Sequence, residues 1–383
     1  MSAIRASVIN MTPDHNNDHS LVVFRMRNFR ACLAVAMFVA SFGFALFAAI
    51  STAQANVLQI ASNTSSFVLG EIAWTQVVSG MTNLNCRTMT MNPITPSLLF
   101  AATERGDFRS MDGGSNWELI RSNDPYYTWG NQFVVDESNP SVVYLLESGI
   151  LRSEDNGDNW QTISGDLAYA NDAVTFAPNP ISPTVLFVGL RGDVSGNWGA
   201  YRTINGGLHW EKINSLPNTA INHIVFEPGN PDRMYAATWS GLYVSTNVGE
   251  TWDAIAGLSQ ASYSIAVSPL STTILYVGAQ DGVYKSVNRG DTWSKISPAS
   301  GSFVAIDPIE PGTLYVSYFN SVIRTNDYGA TWQTVFSAQS SPFGVVVDRR
   351  DQKYGWLYFC NMGSGVYKGT MLLYKAHLPV ALR

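Results

Sequence analysis

One octapeptide recurs six times in this 383-residue chain, and no other feature restricts its fold as strongly. Ser110-Met-Asp-Gly-Gly-Ser-Asn-Trp117 returns as Ser153-Glu-Asp-Asn-Gly-Asp-Asn-Trp160 and as Thr203-Ile-Asn-Gly-Gly-Leu-His-Trp210. Ser245 to Trp252, Ser286 to Trp293 and Thr325 to Trp332 complete the set, each reading Ser/Thr-x-Asp/Asn-x-Gly-x-x-Trp. The third positions, Asp112, Asp155, Asn205, Asn247, Asn288 and Asp327, lie 43, 50, 42, 41 and 39 residues apart. A period near 40 is the mark of stacked supersecondary units, as in propellers and solenoids.

The octapeptide has a local physics of its own. Asp or Asn early in a tight turn accepts backbone N–H bonds from residues just ahead, and Gly supplies a positive φ. Aromatic and β-branched residues flank it, so it reads as a hairpin turn between strands. Trp117, Trp160, Trp210, Trp252, Trp293 and Trp332 are large enough to staple each hairpin to the next unit by burial. These residues resemble the Asp box of the BNR/sialidase-type β-propellers, six times over.

Each repeat carries the same parts. A first strand ends in an Asn-Pro-like turn (Met89-Thr-Met-Asn-Pro93, Ala305-Ile-Asp-Pro308), and a second strand follows (Leu98-Leu-Phe-Ala-Ala, Leu275-Tyr-Val-Gly). A third strand enters the octapeptide and a fourth leaves its Trp, which makes a four-stranded antiparallel blade. Gly344-Val-Val-Val-Asp, Trp356-Leu-Tyr-Phe-Cys and Gly365-Val-Tyr-Lys supply three strands of a seventh unit without an octapeptide. Trp74-Thr-Gln-Val-Val near the start looks like a fourth strand with nothing before it. The two fragments complete each other. The expected fold is an all-β, seven-bladed propeller over residues 71–371, closed by an N-terminal strand joining the C-terminal blade, which removes exposed edges. The resemblance is to single-domain seven-bladed members, such as photosystem II assembly-factor-like and sortilin-like propellers.

Composition agrees: 46% hydrophobic and 14% charged residues suit a globular chain with a large core. Residues 1–55 read as a targeting segment, with Arg25, Arg27 and Arg30 ahead of the apolar run Ala31 to Ile50 and cleavage after Ala55. The rival reading is an uncleaved membrane anchor, since twenty apolar residues span a bilayer. Residues 56–70 read as a linker and 372–383 as a short tail. Without the leader, 19 basic and 27 acidic side chains remain, a net charge of −8. Nucleic acid is therefore not an expected partner, and a membrane enters only through an uncleaved leader. Cys86 and Cys360 fall in neighbouring blades of a closed ring, so an exported protein has a possible disulfide across the seam; the other reading is two buried thiols.

The six octapeptides are poor candidates for chemistry. Three carry Asn, which caps a turn but is neither a general base nor an anionic metal ligand. The turn between third and fourth strands also shares a face with the first-to-second turn. Function is expected on the opposite face, among the second-to-third turns and inter-blade loops. There the sequence places Glu104, Arg105, Tyr126, Tyr127, Trp129, Arg191, Trp198, Trp239, Asp281 and Tyr318, a mixture that suits stacking on a glycan or gripping a peptide. The bland alternative is a channel mouth capped by aromatics that bind nothing.

For a sialidase the resemblance implies an arginine cluster on the substrate carboxylate. The Arg-Ile-Pro signature is missing, and nothing local marks Arg87, Arg105 or Arg191. Arg109, Arg152, Arg202 and Arg324 directly precede octapeptides and read as blade-surface residues. Xyloglucanase-type propellers need Asp residues on two facing domains. Asp107, Glu147 and Asp193 remain as weak catalytic candidates for a glycoside hydrolase. His209, His223 and His377 are scattered, Asp155-Asn-Gly-Asp158 lacks the ligands of a calcium loop, and no phosphate loop appears. No metal or cofactor is expected. The reading is a monomeric, exported, non-catalytic propeller that binds an extracellular protein or glycan, with a glycoside hydrolase as the alternative.

Overall fold

The computed structural model describes residues 72–122, 132–192, 198–300, 303–310, 312–337, 340, 342–348 and 354–372. They form seven four-stranded antiparallel sheets in a ring, a seven-bladed β-propeller. Blade one runs Cys86–Met91, Leu99–Thr103, Gly106–Ser110 and Glu118–Arg121. Blades two to six follow as 132–162, 173–212, 221–255, 262–297 and 303–337. Blade seven takes Pro342–Asp348, Tyr354–Asn361 and Gly365–Leu372, and its fourth strand is Ala73–Gln76 from the other end of the chain. Ala73 pairs with Thr370 and Gln76 with Tyr367, so the ring closes as the sequence implied.

Burial explains the strand compositions. The second strand of each blade sits between two neighbours, and Leu99–Thr103 and Leu275–Ala279 are buried at every position. Outer strands such as Gln161–Thr162 and Glu211–Lys212 are short, polar and exposed, which blunts the edge against other chains. The core is seven apolar clusters among the described residues, one at each boundary between adjacent blades. At the seam of blades seven and one, Cys86 and Cys360 are fully buried and joined as a disulfide, with Cα atoms 5.1 Å apart.

The six octapeptide turns share one hydrogen-bond scheme. The Ser/Thr Oγ accepts the N–H of the Gly four residues on, at 2.8–3.1 Å. The Asp/Asn Oδ1 accepts the N–H four residues on, at 2.8–3.0 Å. Both residues before the Trp-proximal half of the turn are left-handed: Val248 (φ 54°) and Gly249 (φ 71°) occupy the same places as Gly113 and Gly114.

Two expectations are corrected. The Trp side chains staple each turn to the preceding blade, not the following one. Trp117 Nε1 donates to Val77 O at 2.9 Å, Trp210 Nε1 to Ile163 O at 3.2 Å and Trp332 Nε1 to Ile296 O at 2.9 Å. Two of the four arginines before the turns are not surface residues either, while Arg152 and Arg202 stay partly exposed. Arg109 and Arg324 are only 8% and 5% exposed, because their stems lie between blades.

Candidate binding face

Backbone bonds assign the two faces. Gly113 N–H donates to Ser97 O, Gly206 N–H to Thr184 O and Tyr328 N–H to Gly312 O, so each octapeptide turn is tied to the first-to-second turn of its own blade. That face spends its polar groups on itself. The second-to-third turns and inter-blade loops occupy the opposite face.

Three of the residues singled out there come together. Arg191 and Trp198 are opposite one another where the blade-three hairpin begins. The Trp198 and Trp239 rings lie 5.4 Å apart at 49°, bridging blades three and four, and Arg191 Cζ sits 5.6 Å from the centre of the Trp239 ring. Trp239 is held by its N–H donating to Ala220 O, yet remains 42% exposed. An exposed indole backed by a second indole and a guanidinium is a flat, pre-organised surface for a sugar face or a peptide side chain.

The other rim residues are distributed around the ring. Glu104 accepts from Arg87 Nη2 at 2.7 Å and Asn85 Nδ2 at 2.8 Å, which holds its carboxyl below the usual range, and Arg105 is exposed beside it. Asp281 accepts from Lys295 Nζ at 2.9 Å, Tyr284 Oη at 2.9 Å and Gln260 Nε2 at 2.8 Å; the lysine chiefly keeps it ionised. The Tyr318 ring meets Phe319 edge-on at 4.6 Å. Tyr126, Tyr127, Trp129 and Asp193 lie outside the described residues.

Asp107 and Glu147 are drawn toward the same cation. Arg121 Nη2 donates to Glu147 Oε2 at 2.5 Å, and Arg121 Nε lies 3.8 Å from Asp107 Oδ2. Both carboxylates are buried, at 0% and 5% exposure, and burial pushes the Glu147 carboxyl up against the pull of Arg121. A guanidinium clamped between them makes a structural bridge between blades one and two. A general acid with an open approach to substrate is not visible in that arrangement. Arg87, Arg105 and Arg191 do not converge: two belong to blade one, where Arg87 is engaged with Glu104, and the third to blade three. Among the described residues no group of three or more His, Cys, Asp or Glu is placed to hold a metal ion.

The sequence did not single out Tyr169 and Phe319. They are the two non-glycine residues with positive φ outside the octapeptide turns among those described, at 63° and 44°, and they are 52% and 67% exposed. Left-handed backbone at a bulky residue costs free energy and gathers at functional surfaces. A cavity of about 370 Å³ lies elsewhere, between blades two and three near Arg152, Thr184, Asn205 and Gly206. It sits on the octapeptide side and brings no carboxylate pair together.

The fold is similar to several solved propellers. The GH74 xyloglucanase from Xanthomonas campestris is 21% identical, with 78% of this chain and 53% of that chain covered and a TM-score of 0.59. YCF48 bound to D1 peptide is 14% identical, with 80% of this chain and 98% of that chain covered, at 0.57. The extracellular domain of a putative hybrid two component system from B. thetaiotaomicron is 14% identical, with 80% and 40% covered, at 0.59. The chain spans about half the length of the Xanthomonas campestris and Niastella koreensis GH74 enzymes it matches. At these identities the likeness shows the fold alone. No family model matches the chain, and no curated protein sequence matches it either.

Proposed function

We propose that this chain is an exported binding propeller of the BNR/Asp-box kind, presenting its loop face to a protein or glycan without turning it over. The observation that carries the reading is the Arg191–Trp198–Trp239 cluster, an exposed stacking surface on the face whose loops are individual. Two further features support it. The octapeptide turns spend their side-chain acceptors on their own backbone, and the weak catalytic candidates Asp107 and Glu147 are buried around one shared arginine, Arg121. Residues 1–55 are read as the leader that exports it, which N-terminal sequencing of the mature protein tests at Asn56.

Two of the similar propellers support a binding surface of this type: one holds a peptide and another is an extracellular domain. A glycan array, a peptide array and a panel of chromogenic glycosides test the proposal together. Binding without turnover, weakened at least roughly ten-fold by Trp239→Ala through loss of one stacking contact, is the expected result. Turnover that disappears in Glu147→Gln, or binding indifferent to both Trp198→Ala and Trp239→Ala, would refute it.

A further inference from the structure

The third strand of each blade carries, just before the octapeptide turn, a residue paired across the sheet with an aromatic of the second strand. Arg109 faces Phe100 in blade one, and Arg324 faces Tyr315 in blade six. At most boundaries this residue is a cation that reaches the turn of the next blade. Arg109 donates to Asn156 O at 2.7 Å and lies 2.8 Å from Asp158 Oδ1. Arg202 lies 3.7 Å from Glu250 Oε1, and Lys285 Nζ is 4.5 Å from the centre of the Tyr328 ring. Lys368 donates to Gly113 O at 3.1 Å, across the seam. Blade four has Val244 instead, and there the next turn sends Arg289 back to within 3.5 Å of the buried Glu227. Arg152 stays with Glu154 in its own turn.

Arg324 is different for a topological reason. The third and fourth strands of blade seven, Gly365–Leu372 and Ala73–Gln76, come from opposite ends of the chain, so no turn joins them. Its cross-strand partner Tyr315 points into blade seven, donating its hydroxyl to Met371 Sδ at 3.0 Å, and Arg324 stands on the same side of the sheet. Its Nη2 makes one long bond, 3.3 Å, to Gln333 Oε1. Among the described residues neither Nε nor Nη1 has a hydrogen-bond partner, and both atoms are buried in a residue only 5% exposed. A guanidinium held out of water with two donor groups unused is costly, and its fork is built for a carboxylate.

We propose that Arg324 anchors a peptide site at the boundary of blades six and seven, where the Asp or Glu carboxylate of a partner protein takes the place that Asp158 and the Asn156 carbonyl take for Arg109. The site is separate from the loop face. A cyclised octapeptide with the sequence of Ser153 to Trp160 is the probe, titrated into the full chain. The readouts are affinity and the Arg324 Nε–Hε resonance, which is assigned by its loss in Arg324→Gln. The expected result is a saturable shift of that resonance. Binding should be lost in Arg324→Gln and weakened in Arg324→Lys, which keeps the charge and fold but not the fork. It should weaken roughly ten-fold when the probe residue matching Asp158 is Asn, the loss of one charge-assisted bond. An unmoved resonance, equal binding by Arg324→Gln, or a sulfate response as large as the peptide's would overturn the proposal.

Discussion

Breaking the Cys86–Cys360 bond tests how the ring is held shut. The bond links residues 274 apart in sequence, and its two sulfurs are fully buried in the apolar cluster at the seam of blades seven and one. In the chain-entropy account, releasing a loop of that size frees roughly 19 cal/mol/K in the unfolded chain, about 6 kcal/mol at room temperature. Native relaxation and residual unfolded structure reduce such values, so about 3–5 kcal/mol is the working range. A propeller of this size unfolds with an entropy of roughly 0.6 kcal/mol/K, which converts the loss to a drop of about 5–8 °C in Tm. Calorimetry of the oxidised protein, the same protein with reductant, and the Cys86→Ala/Cys360→Ala variant separates the terms. Reduction alone keeps the packing and reports the constraint; the alanine pair adds a cavity cost on top. The reasoning fails if reductant leaves Tm within about 2 °C of the oxidised protein, or if alkylation mass spectrometry of the oxidised, exported protein finds two free thiols.

Other consequences follow from the turns and the inner strands. Val248, a β-branched residue at φ 54°, sits where another turn has Asn156 at φ 58°, so Val248→Asn should raise stability by about 1 kcal/mol in denaturant unfolding; no gain would show that the strain is relieved elsewhere. Asp155, hydrogen-bonded first by the Asn159 side chain and then by its N–H, has its pKa lowered to about 2. Its contribution to stability is complete above the unfolded value of 3.8 and is lost as pH falls through about 2; Asp112 and Asp327 are lowered in the same direction. The triple Asn variant should therefore melt with less pH dependence between about 2 and 4, because Asn already caps three of the turns. His223 accepts the Ile265 N–H at Nδ1, 3.2 Å, and burial lowers its pKa from 6.5 to about 4. A base with a lowered folded pKa stabilises fully above 6.5 and loses that stability as pH falls toward 4, by up to about 3 kcal/mol. His223→Gln should flatten the Tm-against-pH curve in that window, and an unchanged slope would exclude His223 as its source.

The octapeptide repeat determined the architecture because its information is local. A Ser/Thr hydroxyl, an Asx side chain and a Gly at fixed offsets specify one turn, and six copies at a period near 40 leave few ways to bury the intervening apolar runs. Ring closure was legible for the same reason: a lone fourth strand at Trp74 and a three-strand unit ending near Lys368 needed each other. The side of each contact was not legible. Whether Trp117 packs forward or back, and whether Arg109 faces solvent or the next blade, depends on how twisted blades meet, with partners about 40 residues away. Exposed aromatics in left-handed backbone, Tyr169 and Phe319, leave no mark in composition. The meeting of Arg191, Trp198 and Trp239 required two blades to be laid side by side. Arg324 makes the distinction most plainly: its sequence context matches that of Arg109, and only the topology of blade seven removes the turn that would have answered its charge.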